Sequence, residues 1–102
     1  MVPRNRKATH PGEILLHEFL DPMGLSQLRL AEILGVSVQR INEIIKGKRG
    51  ITPETAWLFS AFFKVSPEFW MNLQSAYDLS THKLDSKTEK LINSRKTHAA
   101  IA

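Results

Sequence analysis

Between Ser26 and Arg49 the chain gathers side chains whose chemistry suits a nucleic-acid surface. Gln39 and Asn42 each carry a donor beside an acceptor, the pairing that complements an adenine edge in the major groove. Arg40 offers a fork of donors for guanine or phosphate, and Val38 an apolar contact for a thymine methyl. With Ile41 and Ile44 buried, helical spacing turns Val38, Gln39, Asn42 and Glu43 outward together. Lys46, Lys48 and Arg49 follow, where they meet the flanking sugar–phosphate backbone. Ser26 and Gln27 open the helix before, and Ser37 opens this one; amides at a helix N-terminus suit phosphate. The expected base readers are therefore Val38, Gln39, Arg40 and Asn42. The expected phosphate binders are Ser26, Gln27, Ser37, Lys46, Lys48 and Arg49.

Two short helices must hold these groups. Ser26 caps a segment from Gln27 to Leu34 that carries Leu30, Ala31 and Leu34 on one face. Gly35 supplies the left-handed position that ends it, and after Val36 a second cap, Ser37, starts a helix from Val38 to about Lys46. Ala31 is the small residue that a close helix crossing needs. Two capped helices joined at a glycine turn make a helix-turn-helix over residues 26–46, whose second helix enters the major groove by its N-terminal end.

The flanking segments also read as helix. Pro11 and Glu13 start the first, which carries Leu15, Leu16, Phe19 and Leu20 and is stopped by Asp21-Pro22-Met23-Gly24. Thr52-Pro53-Glu54 opens the fourth, with Ala56, Phe59, Phe62 and Phe63 on its apolar face. Ser66-Pro67-Glu68 opens the fifth, with Phe69, Trp70, Leu73, Ala76 and Tyr77. Phe59, Phe62, Phe63, Trp70, Leu73 and Tyr77 are more apolar surface than two short helices need for one small core. Part of this surface is expected to face a two-fold mate, the alternative being that all of it is intramolecular core. Beyond Leu79, residues 85–93 are expected to form at most a short helix around Leu84, Leu91 and Ile92, with the final residues fraying. The expectation is an all-α, five-helix domain over residues 10–79, between a basic arm at 1–9 and a short basic tail at 80–102.

Composition bounds the remaining possibilities. The chain has 102 residues, 42% hydrophobic and 24% charged, which fits one globular core. Its net charge of +4 is concentrated in three basic blocks, at residues 1–10, 39–50 and 82–102, each carrying +3. The absence of cysteine excludes disulfides, cysteine-bound zinc, iron–sulfur clusters and thiol nucleophiles. No apolar run approaches the roughly 20 residues of a membrane span, and no apolar stretch follows Arg4, Arg6 and Lys7, so a cytoplasmic protein without membrane contact is expected. His10 and His17 lie two helical turns apart near Glu13 and Asp21. A metal there is a weaker reading than a helix-starting role for His10 and a surface position for His17. A hydrolase would need a nucleophile elbow that is missing, so no enzyme and no cofactor are expected. A hydrophobic ligand pocket among the aromatics explains less than packing does.

The helix-turn-helix resembles the Xre/Cro–C1 type of phage and bacterial repressors, whose domain is lambda-repressor-like. His10-Pro11-Gly12-Glu13-Ile14-Leu15 before it, and the run Ser66-Pro67-Glu68-Phe69-Trp70-Met71-Asn72-Leu73-Gln74-Ser75-Ala76-Tyr77-Asp78-Leu79 after it, resemble the HigA-type, VapI-like antitoxins over about residues 9–80. The resemblance implies a homodimer on an inverted repeat in its own promoter. It also implies a HigB-type ribonuclease toxin as partner, silenced by complex formation. Two rival readings are a stand-alone Xre-type regulator without a toxin and a protein-binding adaptor that has lost DNA.

Overall fold

The structure, a computed structural model, describes residues 8–99, so the expected arm residues Arg4, Arg6 and Lys7 lie outside it. Among the described residues there are six helices and no strands. They are α1 (residues 11–23), α2 (Gln27–Leu34), α3 (Val38–Ile45), α4 (Pro53–Phe63), α5 (Pro67–Thr81) and α6 (Ser86–Ala99). The first five match the expected all-α arrangement, and each of α2 to α5 begins at the Ser or Thr cap read from the sequence. In every case the cap hydroxyl accepts from the amide three residues on, as Ser26 does from Arg29 and Ser37 from Arg40.

α1 is less regular than its sequence suggests. His10 caps it, its Nδ1 accepting from Gly12 N–H at 2.9 Å, which is the helix-starting role expected of that residue. Pro22 does not end the helix. A π turn over Leu15–Leu20, closed by Asp21 N–H on the Leu16 carbonyl, widens the backbone just before the proline. That widening accommodates a ring that lacks an N–H and crowds the carbonyl four residues back. The helix stops only at Gly24, which is left-handed at φ 61°.

One core holds α1 to α5. Leu15, Leu20, Leu30, Ala31, Ile41, Ile44, Ile51, Ala56, Phe59 and Trp70 are all buried. Trp70 sits at its centre, with ring centroids of Phe59 at 4.9 Å, Phe19 at 5.1 Å and Phe69 at 5.2 Å. Phe59 and Trp70 are therefore core within one chain, whereas Phe62, Phe63, Leu73 and Tyr77 are half-buried. Gln74 is buried as well: its carbonyl accepts from Ile51 N–H at 2.6 Å and its amide donates to Asp78 at 2.9 Å. This polar strut pins the chain leaving α3 to α5.

Beyond α5 the structure has a longer helix than expected; the final residues, expected to fray, lie outside the described ones. α6 runs from Ser86 to Ala99, longer than a helix ending near Asn93. Asp85 starts it, accepting from the Thr88 N–H at 2.7 Å and the Thr88 hydroxyl at 2.9 Å. These bonds, the backbone one foremost, hold the Asp85 carboxyl below its ordinary pKa of 3.8. Leu84, Leu91 and Ile92 remain exposed.

Candidate nucleic-acid interface

α3 is seated by its inner side. Ile41 and Ile44 are buried, and α1 approaches so closely that a Cβ on Gly12 would overlap the Ile44 carbonyl oxygen and stand 2.9 Å from Ile45 Cα. Glycine is required here for backbone-to-backbone contact. On the other flank α2 packs against α3 with Leu30 and Ala31 buried, and Gly35 takes the left-handed conformation at φ 73°. Both Gly35 and Val36 donate their N–H to the Ala31 carbonyl, which closes the turn.

The outer side of α3 carries the polar groups. Val38 and Gln39 are exposed, and Asn42 is half-buried because its amide donates to the Gln27 side-chain oxygen at 3.1 Å. That bond ties the first residue of α2 to the middle of α3. It joins an expected phosphate binder to an expected base reader. Lys46 and Lys48 are exposed, the latter beyond Gly47, which turns the chain at φ 74°.

Arg40 lies elsewhere than the sequence reading put it. Its guanidinium donates to Glu54 at 3.0 Å and to Thr55 at 2.6 Å, bracing α3 against the first turn of α4 with only 23% of the side chain exposed. Successive helical positions diverge by about 100°, so a residue next to Gln39 points to the flank that meets α4. Arg49 is also engaged. Its Nε and Nη2 both donate to Glu43 Oε1, at 3.0 and 2.9 Å, while Gln39 Nε2 donates to Glu43 Oε2 at 3.4 Å. The role of Glu43 as the hub of this face was not apparent from the sequence. The i, i+4 spacing of Gln39 and Glu43 was the available signal; the loop that returns Arg49 was not readable.

His10 stands behind this face, 8% exposed, with Tyr77 edge-on at 4.7 Å. Burial pushes its pKa below the ordinary 6.5, against the opposing pull of Glu13 and Asp78. His17 is a surface residue, 3.3 Å from Asp21. Among the described residues no cluster of acids and histidines is arranged to hold a metal ion, and no helix is long and apolar enough to cross a membrane.

With this geometry, comparison with known proteins is direct. Residues 16–70 match the helix-turn-helix family. The chain is 47% identical to virulence-associated protein I of Dichelobacter nodosus, across 83% of this chain and 79% of that one. It is similar to antitoxin HigA-1 of Vibrio cholerae, at 39% identity across 78% and 74% of the two chains. A solved structure of the Pseudomonas aeruginosa antitoxin HigA with the higBA promoter superposes with a TM-score of 0.72, at 38% identity over 78% of this chain and 98% of that one. The chain belongs to the HigA-type, VapI-like family of Xre helix-turn-helix proteins. For a HigA-type chain, the His10-Pro11-Gly12 segment now has a physical reason: it caps α1, sets its first turn, and clears the backbone against α3.

Proposed function

We propose that this HigA-type chain is a sequence-specific DNA-binding repressor and the antitoxin of a HigBA-type module, not an enzyme. It acts in the cytoplasm as a homodimer on an inverted-repeat operator in its own promoter and neutralises a HigB-type ribonuclease. The observation that carries the reading is one face. The outer side of α3 presents Val38, Gln39 and Asn42 together, Asn42 tied to Gln27 at the head of α2, with Lys46, Lys48 and Arg49 flanking. The Pseudomonas relative was solved with its promoter, which supports DNA binding by this chain.

Val38, Gln39 and Asn42 read base edges; Ser26, Gln27, Ser37, Lys46, Lys48 and Arg49 hold the backbone. Arg40 supports α3 from behind through Glu54 and Thr55 and is not assigned to a base. The half-buried Phe62, Phe63, Leu73 and Tyr77 remain available to the two-fold mate. A nuclease-protection experiment on the DNA upstream of the reading frame tests the repressor half. Two protected half-sites centred about 10 bp apart, or a multiple of that, are expected of a dimer. Co-expression with the neighbouring small open reading frame tests the antitoxin half: rescue of growth and co-purification are expected, and neither occurring contradicts it.

A further inference from the structure

An acid at the centre of a DNA-facing surface is costly unless it has a task. Glu43 lies one turn beyond Gln39 on α3, and its two oxygens hold two groups that the DNA reading needs elsewhere. Oε1 takes the Arg49 guanidinium by two bonds and Oε2 takes the Gln39 amide. The Glu43 side chain is half-buried, with 29% of it exposed. It thus stands on the surface that phosphate would approach, and it occupies the cation and the amide that phosphate or base would claim.

We propose that Glu43 is a specificity-determining residue of this face, a built-in competitor that a base edge can satisfy and a phosphate cannot. The inference rests on the DNA-binding reading and deepens it. A phosphodiester offers a carboxylate no donor, so loose docking on arbitrary sequence must strip Arg49 from Glu43 and leave the acid facing negative charge. A cytosine edge offers its amino group, which a carboxylate accepts. On the operator the acid exchanges Arg49 and Gln39 for a base. On random DNA it exchanges them for repulsion. The acid therefore suppresses non-specific binding more than specific binding, the form that discrimination by a repulsive element takes.

The test compares wild type with Glu43→Gln on the upstream duplex and on a scrambled duplex, by fluorescence anisotropy across a salt series. The substitution keeps the shape, and the turn after α3 is held by the Glu43 backbone carbonyl, which accepts from Lys48 and Arg49 N–H; thermal melting verifies that the fold is kept. Expected are scrambled-duplex binding about fivefold tighter or more, a salt slope steeper by about one unit as Arg49 is freed for phosphate, and a smaller change on the upstream duplex. Discrimination therefore falls. In an Arg49→Ala background the same substitution should gain clearly less on scrambled DNA. Equal effects on both duplexes, or no gain on scrambled DNA, would overturn the role of Glu43 while leaving the repressor reading intact. A wild type that does not distinguish the duplexes overturns the DNA reading itself, and this inference falls with it.

Discussion

The two sides of α3 are held by different physics. Inward, Ile41 and Ile44 are buried and the α1 backbone rests directly on the helix at Gly12, contacts that exist only if the whole core is assembled. Outward, Gln39, Asn42 and Arg49 are held by side-chain bonds to Glu43 and Gln27, several of them exposed and each exchangeable for a bond to a ligand. An exposed pair of this kind contributes at most about 1 kcal/mol, whereas a large buried side chain contributes several. The inner side fixes where the helix lies, and the outer side stores pre-positioned groups that are cheap to release. Substitutions on the two sides should accordingly move different observables.

The largest effect is expected at the core. Trp70→Ala should lower unfolding free energy by about 3–5 kcal/mol, read by urea denaturation, because Trp70 is fully buried among Phe19, Phe59 and Phe69. Gly12→Ala should come next, at about 3 kcal/mol, since its methyl would overlap the Ile44 carbonyl. If Gly12→Ala melts like wild type, the close seat of α3 against α1 is wrong. Gln39→Ala should leave the melt unchanged yet cost about 1–3 kcal/mol on the operator and relax one base step. Lys48→Ala should weaken binding to all sequences alike and flatten the salt slope by about one unit. Equal losses on operator and random DNA in both variants would erase the division between base and phosphate contacts.

The smallest effect comes from His10. Burial holds its folded pKa below 6.5, so the folded state favours the neutral ring and the unfolded state binds the extra proton first. Its contribution to stability is whole above pH 6.5 and is lost as pH falls through the folded value. Melting temperatures should decline over that window, and His10→Asn, which retains a capping acceptor, should shrink the decline. A wild-type profile no steeper than that of the variant would contradict the buried neutral ring.

Much of this was legible from residues, for reasons that separate local from non-local physics. Caps, glycine turns and apolar spacing act within a few residues, so Ser26, Gly35, Ser37 and Ser66 announced their helices. Ile41 and Ile44 announced their burial by spacing, whereas for Phe59 and Trp70 the choice between core and a two-fold mate needed the fold. Features set by distant partners did not show. Arg40 looked like a base reader until Glu54 and Thr55 drew it to α4. Gln74 had no assigned role, because nothing near it in the sequence signals that Ile51 N–H would need its carbonyl. Trp57, 65% exposed on α4, was expected on neither face. The run Asp21-Pro22-Met23-Gly24 did mark the end of α1, at Gly24, while the π turn before Pro22 had no signal in the sequence. The outward set on α3 followed from periodicity, but its ties to Gln27 and Arg49 required the fold.

The most direct test of the account is a titration of the purified protein against its own upstream DNA and a scrambled duplex, followed by fluorescence anisotropy at several salt concentrations. Binding to the upstream DNA is expected to be about 10³-fold or more tighter than to the scrambled duplex. Weak and equal binding to both, falling steeply with salt, would mean a basic surface without readout and would contradict it.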